Sequence, residues 1–155
     1  MRTRIFLTSL IVVGLLATPA LAAGAPHGRG PKAQASMLAE TAGTFSQHPV
    51  RVLNQICDHP STRQGCVPIK ANLRAALERA FDAPITWVDP QRHQAGQLWV
   101  LGTVVFDGTQ VTTKVAWRDA GPVGCFGWTR LSWKRHHGAW SVFRGISVEG
   151  CSAAV

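Results

Sequence analysis

Tyrosine is absent from the 155 residues, acidic residues number only 8, and charged residues of both signs make up 15% of the chain. Without tyrosine there is no phenol to donate a proton, so any acid–base chemistry falls to Asp, Glu or His. So little charge, beside a 46% hydrophobic share, excludes a disordered polyelectrolyte, and 15 Gly with 9 Pro are too few for a collagen-like or low-complexity chain. Also missing are a G-x-S-x-G elbow, an H-E-x-x-H pair, a phosphate loop, a dinucleotide fingerprint and any internal repeat. Past residue 22 no apolar run is long enough to span a bilayer. What remains is a chain of the size of one small domain.

Residues 1–22 carry an address. Arg2 and Arg4 precede an apolar run from Ile5 to Leu16, and Ala20-Leu21-Ala22 is a small-x-small cleavage site. The run is shorter than a spanning helix, and Pro19 interrupts it. The expectation is an exported protein cleaved after Ala22, periplasmic if the host has an outer membrane and otherwise secreted, with no transmembrane segment once cleaved. With Arg2 and Arg4 gone, 14 basic residues face 8 acidic ones, and the product carries +6. Such a charge favours encounters with anionic partners without defining a site.

An even number of cysteines in an exported chain implies disulfides. Cys57 and Cys66 flank one short loop, while Cys125 opens one expected strand and Cys151 follows the next, so the expected pairs are 57 with 66 and 125 with 151. Each bridge is worth roughly 3 kcal/mol. Zinc held by cysteines and His59 is the alternative, but no C-x-x-C pair is present, and neither a metal nor a cofactor is expected.

Residues 23–35 are Gly, Pro, Ala and basic side chains and read as a flexible tail, with one domain over 36–155. Met37, Leu38, Thr41, Ala42 and Phe45 recur at helical spacing behind Ser36. Pro49 suits the start of a second helix, with Val50, Leu53 and Ile56 on one side. Ile69, Leu73, Leu77 and Phe81 stripe a third.

After Pro84 the apolar period falls to two. Ile85 to Val88 is a short strand, and 97–106 and 109–117 form a hairpin about Asp107-Gly108, which sets Val100 opposite Val115 and Leu98 opposite Trp117. A second hairpin turns at His136-His137-Gly138; pairing Arg135 with Ala139 sets Trp128 opposite Ile146, Arg130 opposite Arg144 and Cys125 opposite Glu149. The expected fold class is α+β: N-terminal helices packed on a curved antiparallel sheet of four to five strands.

That order, closing on Trp128-Thr129-Arg130-Leu131-Ser132-Trp133-Lys134-Arg135 and Gly138-Ala139-Trp140-Ser141-Val142, resembles the nuclear transport factor 2-like (cystatin-like, cone-shaped) superfamily. The resemblance implies a pocket between the helices and the concave sheet face. It also implies that the chain is one of many exported bacterial members without an assigned activity. The strands such folds often place between the second and third helices are missing, unless the loop from Cys57 to Cys66 stands in for them.

The expected register places Trp128, Arg130, Ser132, Trp140, Val142, Arg144 and Ile146 on one face. Trp128, Arg130, Trp140 and Arg144 are the expected contacts for a ligand with a flat or greasy body and an anionic group, since guanidinium is a planar fork for carboxylate or phosphate. The expected partner is a small anionic or amphipathic ligand, or an envelope protein; nucleic acid is not expected, although Trp residues alternate with cations near the His136-His137 tip. No catalytic residue is assigned. An isomerase- or dehydratase-type pocket would draw on Asp82, Asp89, His93, Asp119 or Glu149. An inhibitor-type interaction domain would expose an apolar patch at Trp99, Leu101 and Trp133.

Overall fold

The computed structural model describes residues 25–43, 49–92, 96–119 and 123–153, so the address segment 1–22 and His93 lie outside the described residues. The fold is α+β, with two helices and a mixed sheet of eight strands, more than the expected four to five. The helices are α1 (Pro31–Ala42) and α2 (Ala71–Ala80). The strands are β1 (Val50–His59), β2 (Gln64–Pro68), β3 (Ile85–Val88), β4 (Gln97–Gly102), β5 (Val105–Asp107), β6 (Gln110–Asp119), β7 (Val123–His136) and β8 (Ala139–Ala153). The main path is β2-β1-β4-β6-β7-β8, with β3 beside β1 and β5 beside β6. Strand β1 runs parallel to β3 and β4, so the sheet is not purely antiparallel.

The second expected helix is strand β1. Spacing of Val50, Leu53 and Ile56 fits a helical stripe, but the segment is buried on both sides, Val50 and Val52 entering the main core and Leu53 and Cys57 a second one. Val50, Val52 and Ile56 are β-branched, and β1 has three pairing partners along its length, which settles the choice for strand.

Helix α1 begins at Pro31, inside the expected flexible tail, and Ser36 lies mid-helix, where its hydroxyl donates to the Lys32 carbonyl at 3.1 Å instead of capping. Proline suits this place because the first helical N–H has no partner to lose. The residues before it are also ordered against the sheet. Trp140 donates through its backbone N–H to the Pro26 carbonyl at 2.9 Å and through Nε1 to the Gly28 carbonyl at 2.7 Å. The Arg29 guanidinium donates to the Gly108 carbonyl at 2.9 Å and stands over the Phe106 ring. This strap ties two hairpin tips together. Tail composition hid it because its bonds end on main-chain carbonyls, which carry no residue signature, and reach more than 70 residues away in sequence.

Helix α2 buries Leu73, Ala76 and Leu77, with Ile69 and Phe81 buried at its two ends. Trp87 of β3 donates to Glu78 Oε1 at 2.7 Å while Arg74 lies over its ring, which pins the helix to the sheet edge.

Both helices cover one face of the sheet. The main core there joins Met37 and Leu38 of α1 and Leu77 of α2 to Leu101, Val115 and Trp133 of the sheet. Leu101 and Trp133 are thus buried, and they present no outward patch.

Register decides the faces. Asp107 pairs with Gln110, so the turn is Gly108-Thr109, one residue later than expected, and Gly108 takes φ +56°. Thr103 and Val104 interrupt the strand; beyond them Val100 faces Ala116 and Leu101 faces Val115. The break is held by β1, since the Thr103 N–H donates to the Cys57 carbonyl and its hydroxyl to Asp58 Oδ1, both at 2.9 Å. In β7 and β8, His136 pairs with Ala139, and a bulge at Phe143 adds a second step. Arg130 therefore faces Ile146, Ser132 faces Arg144, and Cys125 faces Cys151 directly.

Both disulfides, Cys57–Cys66 and Cys125–Cys151, are formed, consistent with an exported protein. Among the described residues no helix is long and apolar enough to cross a membrane.

Candidate functional site

The face of the sheet away from the helices is built by alternation, since directly paired residues point to the same side. Along its middle, Val100, Ala116, Trp128 and Val148 lie in one cross-strand row. On one side of that row stand Leu98, Arg118, Phe126 and Gly150; on the other stand Lys114, Arg130 and Ile146, and then Thr112, Ser132 and Arg144. Apolar side chains therefore gather toward the Cys125–Cys151 end, and cations gather one row away. Phe126 and Val148 are exposed at 47% and 41%, while Trp128 is half-buried.

The loop joining β1 to β2 overhangs this face. Its base is fixed by the Cys57–Cys66 bridge, and Cys57 packs with Leu53 and Val100 in a small second core. Two adjoining recesses open under Pro60 and Ser61, sharing Trp128 as a wall. One, of about 280 Å³, is mostly apolar and lies over Leu98, Val100, Ala116 and Phe126. The other, of about 140 Å³, is closed by His59, Lys114 and Arg130.

The sign of charge is uniform here. Lys114, Arg118, Arg130 and Arg144 share this face with no acidic residue in these four rows, Asp107 standing one row beyond them opposite Gln110, and among the described residues none of the four side chains makes an ion pair or a hydrogen bond.

Of the expected contacts, Trp128, Arg130 and Arg144 lie together on this face. Trp140 does not. The turn register, His136 opposite Ala139, pairs it with Arg135 on the helix side, where it is 1% exposed and its ring meets Phe106 edge-on at 6.0 Å, and the bulge at Phe143 returns Arg144 to the open face. Sequence reasoning also missed Lys114, Arg118, Phe126 and the His59–Ser61 overhang. The pairing of β6 with β7 brings the first three in, and no local signal in the sequence marks that register.

A third opening lies elsewhere. A groove of about 960 Å³ between α1, α2 and the strap is lined by alanines and Phe81, with Lys32, Glu40, Arg79 and Asp82 among its charged residues. Glu40 keeps part of its side chain in solvent, yet burial against the groove raises its pKa above the ordinary 4.5. Asp82 shares that groove; Asp89, Asp119 and Glu149 do not line it. Among the described residues no cluster of three or more His, Cys, Asp or Glu could hold a metal.

No known protein-family profile, no curated protein and no solved structure matches the chain.

Proposed function

We propose that the chain is an exported, non-catalytic binding domain that holds a small ligand with an apolar body and an anionic group on the open sheet face, periplasmic where the host has an outer membrane. One observation carries this reading: four cations whose side chains have no partner among the described residues surround an aromatic, partly roofed surface whose recesses are lined by no described acid. Trp128 and Phe126 offer the flat contact, and Arg130 with Lys114 offers the charge. An acidic face of an envelope protein is the other partner this surface would suit.

The test is native against denaturing mass spectrometry of the protein recovered from its exported fraction. An added mass of small-molecule size that disappears in a Trp128→Ala, Arg130→Ala double variant is the expected result; an added mass retained by that variant places the ligand elsewhere and overturns the reading.

A second reading rests on Glu40. A carboxyl with a raised pKa in the groove between α1 and α2 is what an acid–base enzyme of isomerase or dehydratase type requires. Exchange of a substrate-analogue carbon acid proton, lost in Glu40→Gln, would favour it. Kinship with the cone-shaped superfamily is likewise proposed. It is supported by helices stacked on one sheet face and by the long closing strands that meet at Gly138-Ala139-Trp140, and it is weakened by β1 standing where the second helix was expected.

A further inference from the structure

Lys114 and Arg130 are direct cross-strand partners on one face, yet neither meets a carboxylate among the described residues. Like charges placed opposite each other in a sheet repel at a Cβ separation of roughly 5 Å, and a sheet does not gain from such a pair on its own. Arg144 stands diagonally beyond Arg130, one row further along β8, within reach of a long side chain. His59 and Ser61 close the same small recess from above.

Resting on the ligand reading above, we propose that this recess binds the phosphate of a small phosphate monoester, whose aromatic or short branched body lies against Trp128 in the adjoining apolar recess. Charge count selects phosphate over carboxylate. A carboxylate brings one negative charge and would leave two of the three cations uncompensated, whereas a phosphate monoester brings roughly −1.5 to −2 at neutral pH and three acceptor oxygens. Those oxygens match a guanidinium fork, an ammonium and the Ser61 hydroxyl. Shape selects the body. The larger recess is shallow, floored by Leu98, Val100 and Ala116 and stopped by Phe126 and the Pro60 overhang, so it suits one ring rather than a long acyl chain. Arg118 at its far end is left for a polar substituent.

Isothermal titration of the oxidised protein with phenyl phosphate, benzoate, phenol and inorganic phosphate tests this. Phenyl phosphate is expected to bind at least about tenfold more tightly than benzoate or inorganic phosphate, with phenol weakest. Lys114→Gln is expected to remove most of the preference for phosphate over carboxylate, weakening phenyl phosphate much more than benzoate. Trp128→Leu is expected to weaken both aromatic anions equally and spare inorganic phosphate. Because Lys114 is a surface residue, its variant keeps the test valid should Trp128→Leu fail to fold. Benzoate binding as tightly as phenyl phosphate overturns the phosphate assignment but leaves the broader reading standing. Absence of binding by any aromatic anion overturns both. Sedimentation with phosphatidic acid vesicles but not with phosphatidylcholine, in a protein that ignores phenyl phosphate, assigns the same chemistry to a lipid headgroup and overturns the small soluble ligand.

Discussion

Trp133 Nε1 donates to Thr113 Oγ1 at 2.8 Å, and the Thr113 hydroxyl lies 2.6 Å from that of Thr41, which itself donates to the Met37 carbonyl at 2.6 Å. The indole can only donate and the Thr41 proton is used on the helix, so Thr113 must donate to Thr41. A directional chain therefore runs from β7 through β6 into α1. It crosses a core in which, among the described residues, every buried side-chain polar atom has a partner. Thr113→Val keeps the shape and removes both roles. The expected cost is about 2 to 4 kcal/mol, because the buried indole N–H and Thr41 both lose a partner. Thr113→Ser should recover much of it. Urea unfolding of the two variants checks this, and a Thr113→Val protein as stable as wild type would show that the chain is dispensable.

The strap ahead of α1 should matter in the same way. Removing residues 25–30 leaves the Trp140 backbone and indole donors without their Pro26 and Gly28 acceptors and uncovers a ring that is 1% exposed. Two lost hydrogen bonds and the newly wetted ring should together cost about 3 kcal/mol. A red-shifted tryptophan emission with a lower melting temperature is expected; an unchanged melt would mean that the hairpin tips hold without the strap.

Much of the fold was legible where periodicity was long. The stripe Leu73, Leu77 and Phe81 specified α2, and the loop spacing of Cys57 and Cys66 and the hairpin joining Cys125 to Cys151 specified both bridges. Local signals failed where a partner decides. Strand β1 reads equally as a turn of helix until β3 and β4 flank it, and the parallel pairing of Val52 with Trp99 leaves no short-range mark. The candidate site shows the same division. Trp128 and Arg130 lie on one face by alternation alone, whereas a one-residue shift of the turn, His136 opposite Ala139, sends Trp140 to the other side and the bulge at Phe143 brings Arg144 back. Lys114 joins the site only through the β6–β7 pairing, a relation between strands separated by a loop of unspecified register.

Glu40 sets a pH dependence whose sign is fixed by its shift. Burial raises its folded pKa above the ordinary 4.5, so folding favours the neutral carboxyl. Its contribution is fully present below the unfolded pKa and is lost as pH rises through the folded one. Glu40→Gln should therefore melt higher than wild type at pH 7, and the difference should vanish on acidification below about pH 4. Melting curves across that window check it; a variant less stable than wild type at pH 7 would mean that the carboxylate gains a stabilising interaction in the fold.

The Cys57–Cys66 bridge should affect binding more than its entropy alone implies. Its sequence separation is 9, against 26 for Cys125–Cys151, so loop closure predicts about 2.5 and 3.5 kcal/mol respectively. Only the shorter one holds the base of the loop that roofs both recesses over Trp128. A Cys57→Ala, Cys66→Ala variant frees Pro60 and Ser61 from the face, so a bound ligand loses its roof and must itself order that loop. Cys125→Ala, Cys151→Ala costs more stability but leaves the roof in place. At a temperature where both variants are folded, ligand affinity should fall about tenfold or more in the first and little in the second, read by titration on proteins of verified mass. Equal losses would make the effect one of global stability, and an unaffected first variant would place the ligand outside the roofed recesses.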